Sequence, residues 1–183
     1  MKKCFLIISL LFVISCQEQE ARKPLYQSGN SGMIQSIERN KKINAQQQAL
    51  FQQIIKKDSL LSFISSPAGY WYAYTTKSNQ SIQPQRGDQV KFNYSIQSLE
   101  GTPLYNTEEL GTVDYLVDKE ELLPALRYAV KDLSVGDIGV FLVPSFLGYG
   151  YQGDGEKIGI NQPLRFTVEL INLKQNTNPK DSK

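Results

Sequence analysis

Between Gly87 and Ser98 the chain reads GDQVKFNYSIQS, and this stretch constrains the fold more than any other. Val90, Phe92, Tyr94 and Ile96 alternate with Lys91, Asn93, Ser95 and Gln97. Successive side chains of a strand point to opposite faces, so a period of two gives one apolar face and one polar face. The stretch predicts a half-buried strand, which needs partners. GYWYAYTTK, from Gly69, is β-branched and aromatic, as strands favour. Val113, Tyr115 and Val117 alternate again, after Gly101 has turned the chain within SLEGTP. IGVFLVP and PLRFTVELINLK add two more strands. The last sets Leu164, Phe166, Val168 and Leu170 on one side, with Pro163 at its start, where a strand tolerates proline.

One helix interrupts these strands. In DKEELLPALRYAVKDLSVGD, Pro124 would break a helix interior but suits its first position. From there Leu126, Val130 and Leu133 recur at steps of three and four, and residues 134–137 turn the chain into the next strand. The expected fold class is α+β, an antiparallel β-sheet wrapped on a short helix. At 183 residues the chain suits one core domain, over 67–174, plus an appendage and a polar tail at 175–183.

The sequence has no histidine, and its two cysteines, Cys4 and Cys16, both precede the expected domain. That removes Ser-His-Asp and Cys-His nucleophilic sites, the usual zinc sites and the usual pH switch. Lys2 and Lys3 account for the formal excess of two positive charges. A balanced chain without a basic stripe has little pull on phosphate backbones, so nucleic acid is not an expected partner.

MKKCFLIISLLFVISC opens with two lysines, an apolar run and a small residue before Cys16. The run is too short for a membrane span, which needs about 20 residues, and has the order of a signal peptide. Val13, Ile14, Ser15 and Cys16 resemble a bacterial lipobox, which implies removal of residues 1–15 and acylation of Cys16. An ordinary cleaved signal or a buried apolar segment is the alternative. Gln17, not aspartate, follows the cysteine, so by analogy the expected location is the cell envelope, lipid-anchored at the outer membrane and facing the periplasm. Residues 16–32 read as a tether.

Residues 33–66 read as an amphipathic helical arm, with Met33, Ile37, Ile43, Leu50, Ile54 and Leu61 near helical spacing. The arm forms one long helix or two shorter ones, broken near Asp58 and Ser59, which would cap the second. Its stripe suits packing on the domain or on a partner helix, a homodimer through residues 33–66 being one form. Its many glutamines and few lysines fit a membrane surface less well.

VPSFLGYGYQGDG, residues 143–155, sets three aromatics among four glycines, with Asp154 as its one charged residue. Such a loop is expected to be flexible and to hold Tyr149 and Tyr151 near solvent. It offers no acid, base or nucleophile of evident use.

Taken in order, PQRGDQVKFNY, EGTP, EELLPAL, DLSVGD, VPSFLGYG and LRFTVEL resemble the FKBP-type peptidyl-prolyl cis-trans isomerase domain over about residues 67–174. With the lipobox and arm, the chain is most similar to the FKBP-type lipoproteins associated with bacterial gliding motility. The resemblance implies an FKBP-like fold and isomerisation of prolyl bonds in proline-containing polypeptide clients, with no cofactor or metal. It implies a catalytic role for Tyr94, Tyr149 and Phe166. Leu104, Tyr105, Val113, Leu122, Leu123, Leu126 and Ile158 would bind substrate.

Three departures stand out. The family's Phe-Asp pair reads Leu104-Tyr105, or Tyr105-Asn106 with a one-residue shift, its helix tryptophan reads Leu126, and Val113 stands where phenylalanine is frequent. The expected pocket has fewer rings and no acid. It suits isomerisation at lower efficiency, a non-catalytic chaperone or assembly factor holding extended segments, or a structural subunit in which the groove is a relic.

Overall fold

The computed structural model describes residues 29–177. The expected signal peptide, Cys16 and most of the tether lie outside these residues, as do residues 178–183 of the tail. In chain order the elements are α1 (Gly29–Lys57), β1 (Ile64–Ser65), β2 (Trp71–Thr76), β3 (Gln89–Ser98), β4 (Pro103–Tyr105), α2 (Thr107–Leu110), β5 (Val113–Leu116), α3 (Pro124–Asp132), β6 (Ile138–Val143) and β7 (Leu164–Lys174). A 3-10 turn, Ser145–Leu147, follows β6.

The alternating run around Tyr94 is β3, and every strand pairing is antiparallel. The strands lie in the order β1-β2-β6-β7-β3-β4, and β5 also pairs with β3. Tyr94 lies opposite Val168 and Ile96 opposite Phe166, which brings the inward faces of β3 and β7 together. Between Lys91 and Phe92 the register slips, so that Asn172 and Leu170 are the paired residues and Ile171 bulges. Without that extra residue, strict alternation from Leu170 would send Leu173 to the wet face. The bulge turns it inward opposite Val90. On its other edge β3 is covered in two pieces, by β5 along residues 89–92 and by β4 at Ile96 and Gln97. Tyr94 sits at the split.

α3 begins at Pro124 as its spacing requires and buries Ala125, Leu126, Ala129 and Val130. Leu133 follows, also buried, and the face packs into a core with Phe92, Ile96, Phe141, Phe166, Val168 and Leu170. The α+β architecture expected from the sequence is the one observed. Among the described residues no helix is long and apolar enough to cross a membrane.

The chain divides into two compact units between Glu38 and Arg39. The described part of the first is the opening of α1, where Met33, Ile34 and Ile37 are exposed. In the second, the remainder of α1 buries Gln47 and Phe51, with Ile43 and Ile54 half-buried alongside. The expected stripe is therefore corrected: Leu50 is exposed, and the buried ridge runs through Gln47 and Phe51. α1 ends with Lys56 and Lys57, cations suited to a helix C-terminus. A second helix capped by Asp58 does not form. The Asp58 carboxylate accepts from the Leu60 N–H at 3.3 Å in a local turn, and the chain runs on into β1.

Candidate functional site

The ten residues singled out above come from seven places in the chain. β3 supplies Tyr94, β7 Phe166, β4 Leu104 and Tyr105, and β5 Val113. The segment entering α3 supplies Leu122 and Leu123, and α3 itself Leu126. The segment between β6 and β7 supplies Tyr149 and Ile158. All belong to the core cluster or pack against it. Phe166, Leu126 and Ile158 are buried, and the other seven are half-buried.

At the centre the rings of Tyr94 and Phe166 stack, 6.4 Å apart and 19° from parallel. Phe92 backs Tyr94 at 5.9 Å. Tyr149 was expected near solvent, but it is half-buried against the cluster; Tyr151, at 73% exposure, is the residue that faces water. A ring the size of Tyr149 leaves water when an apolar cluster lies within reach. Burial pushes the Tyr149 phenol up to about 12, with Tyr94 and the Asp154 carboxylate adding to the effect. Burial alone raises Tyr94. Both phenols therefore stay protonated at neutral pH. Neither hydroxyl has a hydrogen-bond partner among the described residues, and no buried side-chain polar atom there lacks one, so both reach accessible surface. Two hydroxyl donors beside a dry apolar cluster can hold a carbonyl whose flanking groups are apolar.

The loop that carries Tyr149 is tied down by its own backbone. Gly150 N–H donates to Ser145 O at 2.8 Å, Asn161 N–H to Gly150 O at 2.8 Å, and Asp154 N–H to Ile158 O at 3.2 Å. Gly153, at φ +68°, makes the fold-back possible, because a Cβ there would lie 2.3 Å from the Ile158 carbonyl oxygen. The glycines thus build a compact bonded loop where the sequence suggested a flexible one.

Sequence reasoning gave Asp154 no use, and the structure gives it one. Its Oδ1 accepts from the Glu156 and Ile158 amides at 2.9 and 2.8 Å, and its Oδ2 accepts from the Tyr105 hydroxyl at 2.5 Å. Desolvation pushes the carboxyl up, but the Tyr105 hydroxyl and the two amides outweigh it and hold Asp154 below the usual carboxylate range. That hydrogen bond pushes Tyr105 up to about 12. Lys157 sits 4.4 Å from the Tyr105 ring centroid and pairs with Glu109 at 3.0 Å. The candidate residues, expected to lack an acid, do meet a carboxylate, which the loop supplies through Tyr105. A tyrosine at 105 and a carboxylate at 154 gave no local sign of meeting, since 49 residues separate them.

A family model described as FKBP-type peptidyl-prolyl cis-trans isomerase matches residues 80–171. A probable FKBP-type peptidyl-prolyl cis-trans isomerase, FkpA, of Neisseria meningitidis is 24% identical over 157 residues, which cover 86% of this chain and 56% of that protein. FK506-binding protein 2 of Dictyostelium discoideum is 30% identical over 94 residues, 51% of this chain and 71% of that one. The crystal structure of FkpA from Escherichia coli superposes with a TM-score of 0.58 at 20% identity, over 95% of this chain and 83% of that one. The chain thus spans little more than half the length of the Neisseria protein.

Proposed function

The chain belongs to the FKBP-type peptidyl-prolyl cis-trans isomerase family, and from that premise we propose that it isomerises Xaa-Pro bonds in exported polypeptides. Resonance sets the barrier at about 18–20 kcal/mol and makes uncatalysed exchange slow. The path runs through a twisted amide that has lost this resonance. Its nitrogen is more basic and its carbonyl less polarised than in the planar bond. A dry apolar surface disfavours the planar amide, which wants water on its oxygen, more than the twisted one. The reaction then needs differential binding of a conformation and no base or nucleophile.

In this reading Tyr94 and Phe166 form the wall against the proline, with Leu126 beneath. Tyr149 donates its hydroxyl to the substrate carbonyl, and Leu122 and Leu123 present backbone to the extended chain. Leu104, Tyr105, Val113 and Ile158 complete the apolar border. The observation that carries the reading is the pair of unpartnered, accessible hydroxyls on half-buried Tyr94 and Tyr149 beside Phe166. Exchange NMR on a short proline peptide tests it. The full-length protein speeds cis–trans exchange, and Tyr149→Ala or Phe166→Ala reduces the effect at least several-fold while the fold is kept. No acceleration at high protein concentration excludes the reading.

The proposed setting is the cell envelope, with Cys16 acylated at the outer membrane and the protein facing the periplasm. The lipobox supports the anchor, and overall resemblance supports a link to gliding motility. Exposed Met33, Ile34 and Ile37 suit self-association of the arm over residues 33–66. A second reading, a non-catalytic holder of extended clients, is favoured by one observation: the Tyr105 hydroxyl is occupied by Asp154. If Tyr149→Ala abolishes isomerisation but leaves suppression of client aggregation intact, holding is a separate activity.

A further inference from the structure

Gln47 lies on α1, far in sequence from the loop that bears Tyr149, yet the residue is only 4% exposed and its side-chain hydrogen bonds are all directed at that loop. Its Nε2 donates to Ser145 Oγ and to the Asn161 carbonyl, both at 2.9 Å. Its Oε1 accepts from the Ser145 N–H at 2.9 Å, and the Ser145 hydroxyl lies 3.3 Å from the same oxygen. Ser145 opens the loop and Asn161 closes it. Gly150, next to Tyr149, bonds to both: its N–H donates to Ser145 O, and its carbonyl accepts from Asn161 N–H. The four residues Gln47, Ser145, Gly150 and Asn161 therefore form a closed ring of hydrogen bonds, and Tyr149 projects from it. Asn161 takes a left-handed conformation, φ +52°, which aims its carbonyl at Gln47. Neighbouring residues fix the helix side of the ring. Gln48 donates to Gly69 O at 2.6 Å and accepts from the Trp71 indole N–H at 2.9 Å, and Phe51 is fully buried one turn on.

We infer that Gln47 is a positioning residue for the prolyl site: α1 clips both ends of the loop together and so sets where Tyr149 and Ile158 stand. Resting on the isomerase reading above, this makes α1 a working part of the site and not only a stem. With the clip gone, Ser145 N–H and Asn161 O lose buried partners, and the loop samples arrangements in which Tyr149 is misplaced. Substrate binds the correctly placed fraction and draws the rest after it. The apparent affinity then falls by the fraction lost, while turnover at saturation recovers.

The test is Gln47→Leu, close in size and without polar atoms, in the full-length chain. For a proline peptide the expected result is a KM raised about tenfold with kcat within a factor of about two. Amide hydrogen exchange at Ser145, Gly150 and Asn161 should speed by at least about tenfold relative to the β3–β7 amides. Irreversible unfolding would do the opposite, lowering the apparent kcat through the loss of active protein and leaving KM in place, while reversible global unfolding would speed the sheet amides as much as those of the loop. That outcome, or loop amides that exchange no faster than those of the sheet, overturns the inference. Ser145→Ala removes the hydroxyl but keeps the Ser145 N–H bond, and should raise KM by a smaller factor; an effect equal to or larger than that of Gln47→Leu also counts against the clip. If the unaltered protein speeds no prolyl exchange, the isomerase reading fails, and the loop-amide comparison alone decides whether Gln47 holds the loop.

Discussion

Tyr149 and Tyr94 carry their hydroxyls into a place where burial keeps them neutral. With no histidine in the chain, no group at the cluster changes charge near neutrality. Isomerase activity should therefore be flat from about pH 6 to 9. A bell-shaped profile with a limb inside that window would contradict these roles. Tyr149→Phe keeps the ring and removes only the donor, so kcat/KM should fall by about tenfold, the scale of one hydrogen bond. Asp154→Asn keeps the shape but weakens the bond to Tyr105 and the turn over Glu156 and Ile158. Its signature should be faster amide exchange at Ile158, read by NMR, with little change in the sheet.

At the scale of elements, β3, β7 and α3 were legible because each carries its period in its own sequence. Val90 to Ile96 alternate, Leu164 to Leu170 alternate, and Pro124 with Leu126, Val130 and Leu133 mark a helix from its first residue. The capping box of α2 was also written locally, since Asn106 and Glu109 bond each other's backbone, but a four-residue helix has no hydrophobic period to draw attention to it. The buried face of α1 was only partly legible. Its ridge includes Gln47, a polar residue that enters the interior because Ser145 and Asn161 satisfy it, and those partners lie 98 and 114 residues away. Tyr105 and Asp154 stayed hidden for the same reason. Phe51, fully buried on that ridge, gives α1 a measurable stake in the stability of the second unit. Phe51→Ala should lower the unfolding free energy by about 3–5 kcal/mol in urea titration. A loss under about 1 kcal/mol would mean that the helix merely rests on the domain.

Across the whole molecule, acid is the condition the charges make dangerous. Asp137 is fully buried. Desolvation pushes it up, but Lys77 at 2.7 Å and the Ser134 and Ser78 amides at 2.8 and 2.7 Å outweigh that and hold it below its ordinary value. A carboxyl lowered in the folded state contributes stability above its unfolded value, near 4, and loses it as pH falls through the folded one. Asp118, Glu109 and Asp154 are lowered too, while Asp132, raised by burial, works in the opposite sense. The urea midpoint should therefore drop below about pH 4. Asp137→Asn should destabilise by roughly 2 kcal/mol at pH 7 and by clearly less at pH 3. A difference that does not depend on pH would assign the effect to packing.

The sheet ends on one side in a strand of two residues, and on the other in strands of three and four. Stubs as brief as these offer an incoming extended segment almost no row of free amides to zip onto. A protein that acts on unfolded chains, as proposed here, would be surrounded by such segments. Its blunted margins would deny them the backbone ladder along which aggregates grow.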